Sequence, residues 1–321
     1  MEIVAADIGG TNARFAIAEI ADRRVIRLGE AVTLKVAEFA SFQTAWAAFG
    51  ERAGRPLPSA AGIAIASPID GDVIRMTNNP WIIRPSLIPE RLGVDTHVLI
   101  NDFGAVGHAV AQVGEDQLVH LCGPDIPLPA EGMTTVCGPG TGLGVAAVLK
   151  QDGVYRVIET EGGHMDFAPL DTIEDAIMKR LRRTYTRVSV ERICSGPGIV
   201  AIYETLAQLE GRPVASRDDR TIWKEALEGT DPLALAALDR FCLALGAVAG
   251  DLALAHGAHG VVIAGGLGLR VKDKLLRSGF DQRFAAKGRF QSRMAAIPVK
   301  LITHPQPGLF GAAAAFAQAH G

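Results

Sequence analysis

Two short stretches of this chain carry residues that could hold a polyanion. One is Asp7-Ile8-Gly9-Gly10-Thr11-Asn12, which follows a run (Met1 to Ala6) that is apolar apart from Glu2. The other is Cys137-Gly138-Pro139-Gly140-Thr141-Gly142-Leu143-Gly144, set between the apolar runs Met133–Val136 and Val145–Leu149. Glycine inside such runs weakens a strand, so it marks backbone that takes positive φ or lies close to something else. Successive backbone N–H groups form a concavity for phosphate oxygens, to which Thr141 adds a hydroxyl; a glycine-rich turn without a ligand is the other reading. The pattern occurs twice, about 130 residues apart, too far for a short-period solenoid. Two such loops describe a duplicated phosphate clamp.

Acid–base and hydroxyl-binding candidates lie elsewhere. Asn101-Asp102 stands where the apolar strand His97–Ile100 ends, the place where open α/β sheets gather ligands. Asp102 there can take a proton from a substrate hydroxyl while Asn101 fixes another, or it can cap the helix that starts at Phe103. Glu161-Gly162-Gly163-His164 sets a carboxylate and an imidazole in one turn, suited to a polyol; a solvated Glu161 and a packed His164 are the plain alternatives. Glu191 precedes Ser195-Gly196-Pro197-Gly198 and could equally pair with Arg192 or Arg187. Gly265-Gly266 follows the strand Val261–Ala264, as either a flat seat for an adenine ring or a tight turn.

The elements that position these groups read as two similar halves. Each begins strand, glycine loop, strand, polar turn (Ala21–Arg24; Gln151–Gly153), strand. The first continues with a helix over 38–53, whose Phe39, Phe42, Trp46 and Phe49 sit at core-facing spacing. The strand Ala61–Ala66, a hairpin-type turn at 69–73, an irregular surface or substrate-facing loop at 77–81, the strand His97–Ile100 and a small-residue helix follow. The first half is thus βββαβαβ, and the second repeats it with helical insertions, among them a long helix over 231–256. The Pro-rich 123–129 marks a linker. Residues 1–125 are expected to form a smaller lobe, with helix 308–321 a candidate to complete it, and residues 126–307 a larger one.

Length and composition set the class. The 321 residues, 48% hydrophobic and 21% charged, suit two folded domains. A net charge of −3 gives no pull toward nucleic acid or anionic membrane. The four cysteines are spread singly, so zinc and thioredoxin-like readings fail and a reducing cytoplasm fits. The apolar 241–269 contains Asp251, two histidines and many glycines, so it reads as a buried helix and strand rather than a membrane span. GxxxxGK[ST], GxGxxG, GxSxG and HExxH are all absent, and His256 and His259 read as structural.

Taken in order, Asp7–Arg14, Thr77-Asn78, Ile100–Phe103, Gly138–Gly144, Glu161–His164, Ser195–Gly198 and Ala264–Gly266 resemble the motifs of bacterial glucokinases. These belong to the hexokinase-like group of the sugar kinase–actin–heat-shock chaperone superfamily, and the likeness runs from about residue 2 to Gly311. It implies an α/β fold of two ribonuclease H-like lobes with an interlobe active-site cleft. It also implies ATP-dependent phosphorylation of D-glucose at the 6-hydroxyl, with Asp102 as general base. Asn101, Asp102, Glu161, His164 and Glu191 would bind the sugar. Asp7, Gly9, Gly10, Thr11, Asn12, Gly138, Gly140, Thr141 and Gly142 would hold the phosphates, Gly265 and Gly266 would border the adenosine, and Asp7 would meet Mg²⁺ through water. The resemblance further implies a cytoplasmic homodimer of glycolysis. The chain departs from the pattern at Pro139, Thr160 and Asn79-Pro80. It lacks the Cys-rich zinc motif of the other glucokinase group, shared with sugar-responsive repressors. A kinase for another hexose, and a non-enzymatic sugar sensor on the same scaffold, are the competing functions; the sensor would need a basic DNA-binding module that the sequence does not show.

Overall fold

The computed structural model describes residues 1–76 and 79–321. The chain divides into two compact units: Met1–Gly114 with Val157–Glu159 and His304–Gly321, and Glu115–Arg156 with Thr160–Thr303.

The first unit is built on a sheet of six strands. Strands β1 (Glu2–Ile8), β2 (Asn12–Ala21) and β3 (Arg24–Leu28) run antiparallel, and β4 (Val32–Lys35) also pairs with β2. β5 (Ala60–Ile65) lies parallel to β1, giving the order β3-β2-β1-β5. A small antiparallel pair follows, β6 (Ile74–Arg75) with β7 (Ile82–Ile83), and then β8 (Thr96–Asn101) closes the sheet parallel to β5. Both faces of the central strands are buried, and alternate residues explain how. Val4, Ala6 and Ile8 face an aromatic cluster of Phe15, Phe42, Trp46, Phe49 and Trp81. Ile3 and Ala5 face Leu309, Ala313 and Phe316 of the C-terminal helix Pro307–His320. Small residues let that helix come close. A Cβ on Gly62 of β5 would stand 2.1 Å from the Ala312 carbonyl oxygen.

Local signals explain the departures from pattern. The aromatic spacing from Phe39 predicts a helix over 38–53, yet α1 runs Phe42–Ala53. Ser41 and Thr44 form a capping box that starts it there, and the Phe39 carbonyl instead accepts the Trp81 indole N–H at 3.0 Å. The helix ends on Gly54 at φ 65°. Residues 69–73 do not turn a hairpin, because β5 pairs with β1 and β8 and not with β6. In the loop at 77–81, read as surface or substrate-facing, Asn79 and Trp81 are buried, which does not suit a surface loop, and Thr77 and Asn78 lie outside the described residues. Two helices complete the unit, α2 (Ile88–Leu92) and α3 (Asp102–Gln112).

A second sheet repeats the plan. Its strands are β9 (Leu118–Cys122), β10 (Gly132–Pro139), β11 (Leu143–Gln151), β12 (Val154–Thr160, of which Val157–Glu159 is counted with the first unit), β13 (Gly260–Ile263) and β14 (Val299–Ile302). The order β12-β11-β10-β13-β14 matches β3-β2-β1-β5-β8, with β10 antiparallel to β11 and parallel to β13. β9 adds itself antiparallel to β14. That pairing takes the chain into the second unit at Glu115, upstream of the Pro-rich stretch at 123–129. Inserted helices α4 (Thr172–Leu181), α5 (Gly198–Leu209) and α6 (Asp219–Glu228) pack with α7 (Pro232–His256) around Phe241, Leu245 and Trp223. α7 is the one helix among the described residues long and apolar enough to cross a membrane, and fifteen of its residues are buried. Asp231 caps it, and His256 bonds Thr135 at 2.9 Å.

Candidate active site

In the first unit the β1–β2 hairpin turns through Gly9, Gly10 and Thr11. Gly9 N–H donates to the Asn12 carbonyl at 3.0 Å, and the Asn79 amide donates to the Gly9 carbonyl at 3.1 Å. Thr11 stands exposed at the tip. At the base of the turn the ladder places Asp7 opposite Arg14, whose guanidinium reaches the carboxylate at 3.2 Å. Burial pushes the Asp7 carboxyl above its ordinary value, and Arg14 partly offsets this. The first turn of the C-terminal helix abuts the same carboxylate; a Cβ on Gly308 would stand 2.9 Å from Asp7 Oδ2. Arg14 and Gly308 were not evident among the chemical candidates. Arg14 could have been found by counting back across the hairpin.

Asn101-Asp102 lies at the end of β8. Asn101, not Asp102, caps α3: its Oδ1 accepts from the Phe103 and Gly104 N–H groups at 2.8 and 3.3 Å. Its Nδ2 donates to the Ser67 carbonyl at 3.3 Å. The Asn101 oxygen is therefore committed, and among the described residues one N–H of the amide has no partner. Asp102, relieved of capping, is the half-buried first residue of α3. α3 is held by close helix packing, for a Cβ on Gly311 would fall 1.7 Å from the Ala105 carbonyl oxygen.

The second unit brings together the other sugar-binding candidates. Glu161 and His164 bracket a short 3₁₀ turn, and Glu191 comes from another turn near 190–192. The His164 ring lies 3.8 Å from a Glu161 oxygen through Nε2 and 3.9 Å from a Glu191 oxygen through Nδ1. An imidazole set between two carboxylates offers alternating donors and acceptors to adjacent hydroxyls. Glu191 pairs with neither Arg192 nor Arg187. Arg187 bonds Asp166, Arg192 stacks over Tyr185 at 4.1 Å, and Glu191 accepts the Leu143 N–H at 3.2 Å. That bond joins it to the glycine hairpin.

The hairpin itself turns through Gly140, Thr141 and Gly142, whereas Gly138 and Gly144 face each other within the β10–β11 ladder. Gly140 N–H donates to Gly142, and the Gly140 carbonyl accepts from Gly196 N–H, both at 2.8 Å. Close approach explains the glycines here. A Cβ on Gly163 would stand 2.1 Å from the Leu143 carbonyl oxygen, and one on Gly142 would stand 2.3 Å from Glu191. Gly265, at φ 82°, opens helix α8 (Gly265–Arg270) and lies against Pro139, while Gly266 faces open space. A pocket of about 380 Å³ opens beside the hairpin, bordered by Thr141, Glu191, Arg192 and Ser195.

Magnesium fits this donor set in one way. Among the described residues no cluster of three His, Cys, Asp or Glu could cage a metal. Asp7 is a single carboxylate already paired with Arg14, which suits a hydrated cation carried by phosphates.

Comparison with known proteins identifies the family. The family model described as Glucokinase matches residues 4–319. The chain belongs to the glucokinase family. It is 63% identical over 317 residues to a glucokinase of Zymomonas mobilis, covering 99% of this chain and 98% of that one. A glucokinase of Stenotrophomonas maltophilia is 40% identical over 322 residues, covering 99% and 95%. Among solved structures, a glucokinase from an Antarctic psychrotroph superposes with a TM-score of 0.87 at 33% identity, covering 98% of both chains. The glucokinase family thus accounts for the doubled α/β plan.

Proposed function

We propose that this chain transfers the γ-phosphoryl group of ATP to the 6-hydroxyl of D-glucose. The observation that carries this reading is the Glu161–His164–Glu191 cluster, braced on the Gly140–Gly142 hairpin, in a chain 63% identical to a glucokinase. Asp102 takes the proton from the 6-hydroxyl, a role worth roughly 10²–10⁴ in rate. The remaining Asn101 N–H, Glu161, His164 and Glu191 hold the other hydroxyls. Sugars that leave such groups unpaired are rejected.

Backbone N–H groups of Gly10-Thr11 and Thr141-Gly142 cradle the phosphates, with Gly9, Asn12, Gly138, Gly140 and the Thr141 hydroxyl lining the turns, and Gly265-Gly266 borders the adenosine. The sequence has no P-loop lysine; Asp7 would hold a Mg²⁺ ion through water, and that ion would supply neutralisation of the phosphate charge. The family resemblance supports a cytoplasmic homodimer serving glycolysis.

Asp102→Asn tests the assignment. Turnover should fall by at least about 10²-fold while glucose and ATP still bind by calorimetry; retained turnover removes Asp102 from the role. A coupled assay across glucose, mannose, fructose and N-acetylglucosamine fixes the sugar. No phosphorylation of any of them would favour a sensor.

A further inference from the structure

The helix that begins with Asp102 has an unusual start. In a capping box, the N-cap side chain accepts the N–H of the third helical residue, and that residue's own side chain accepts the N-cap N–H in return. α1 has both halves, through Ser41 and Thr44. α3 has the first half, from Asn101 Oδ1 to Gly104 N–H. The third helical residue is glycine, so the return bond cannot come from α3 itself.

A distant residue makes it. Glu159 Oε1 accepts the Asn101 N–H at 3.1 Å. The side chain also occupies the space that a residue other than glycine would fill, for a Cβ on Gly104 would stand 2.2 Å from Glu159 Oε1 and 2.8 Å from its Cδ and Cγ. Glycine at 104 and glutamate at 159 are therefore two parts of one device. Glu159 also stands two residues before Glu161 in the sugar-binding turn.

We propose that Glu159 is a positioning residue for the Asp102 base. It completes the capping box of α3 from outside the helix and fixes the peptide from which the Asp102 carboxylate projects. This rests on the assignment of Asp102 above. Glu159 touches the Asn101 backbone and acts on the reaction through Asp102. Loss of the bond lets the Asn101-Asp102 peptide rotate, which misplaces the base without removing the sugar- or nucleotide-binding groups.

Steady-state kinetics with glucose and ATP test this on the full chain. Glu159→Ala should lower kcat about tenfold and leave KM for ATP within about twofold. Glu159→Gln, whose amide oxygen still accepts the Asn101 N–H, should restore most of kcat. Gly104→Ala should reproduce the Glu159→Ala loss by expelling the carboxylate. The double variant should be no slower than Glu159→Ala alone, because the collision has gone. Multiplicative losses in the double variant, or full kcat in Glu159→Ala, would overturn the proposal. Melting curves on the same samples separate it from general destabilisation, because a merely structural role would lower Tm in Glu159→Ala without the kcat loss or its recovery in Glu159→Gln. If Asp102→Asn keeps turnover, the assignment of the base fails; if that variant is dead and Glu159→Ala is normal, only this inference fails.

Discussion

Gly311→Ala should show how far packing remote from substrate controls turnover. The added Cβ would fall 1.7 Å from the Ala105 carbonyl oxygen, 2.4 Å from its carbon and 3.0 Å from its Cα. Real Cβ atoms do not approach below 3.0 Å, so the C-terminal helix and α3 must part by about 1.3 Å. Backbone cannot swing aside as a side chain does, so Ala312 and Ala315 also lose contact with Ala105. Overpacking of this kind costs about 3 kcal/mol, which lowers Tm by about 6–12 °C. Ala105 lies one turn from Asp102, so the base moves with it, and a displacement near 1 Å costs up to about 10²-fold in rate. Thermal melts and an assay coupling glucose 6-phosphate to NADP⁺ reduction measure both effects. A variant with unchanged Tm and kcat would refute the packing argument.

Three further outcomes follow from the same geometry. Glu191→Ala removes a partner of His164 and the acceptor of the Leu143 N–H, so KM for glucose should rise about 10–100-fold; an unchanged KM would separate Glu191 from the sugar. Gly308→Ala sets a methyl 2.9 Å from Asp7 Oδ2 and should raise the Mg·ATP concentration needed for half-maximal rate, as initial-rate titration will show, with no effect placing Asp7 away from the nucleotide. Burial pushes the His108 imidazole in α3 from 6.5 down to about 4. The unfolded chain then binds the extra proton, so the stability this group contributes is complete above pH 6.5 and is lost as pH falls toward 4. By pH 5 the loss is about 1–2 kcal/mol. Denaturant titrations of His108→Gln should lack that share of the acid slope; an identical slope would contradict it.

Much of the local structure around the candidate site can be read from residue types alone, because a strand–glycine turn–strand pattern that occurs twice is a local signal. The hairpins at Gly9–Thr11 and Gly140–Gly142, the strand end at Asn101 and the long helix ending near His256 belong to this class. The overlong first helix arises because Phe39 continues an aromatic spacing that the Ser41 capping box interrupts. Long-range pairing is not local. The antiparallel bond of β9 to β14 draws Leu118–Cys122 into the second sheet ahead of the prolines that suggest a boundary. Gly104 reads as one more small residue in a small-residue helix until Glu159 is found beside it, 55 positions along the chain. Gly62 and Gly311 likewise owe their identity to carbonyls of the C-terminal helix and α3.

The most direct test of the account is a crystal structure of this chain with glucose and a non-hydrolysable ATP analogue. The glucose 6-hydroxyl should lie within roughly 3 Å of an Asp102 oxygen, the other hydroxyls on Glu161, His164 and Glu191, and phosphate oxygens on the N–H groups of both glycine hairpins. A sugar whose 6-hydroxyl points away from Asp102, with either hairpin free of phosphate, would contradict it.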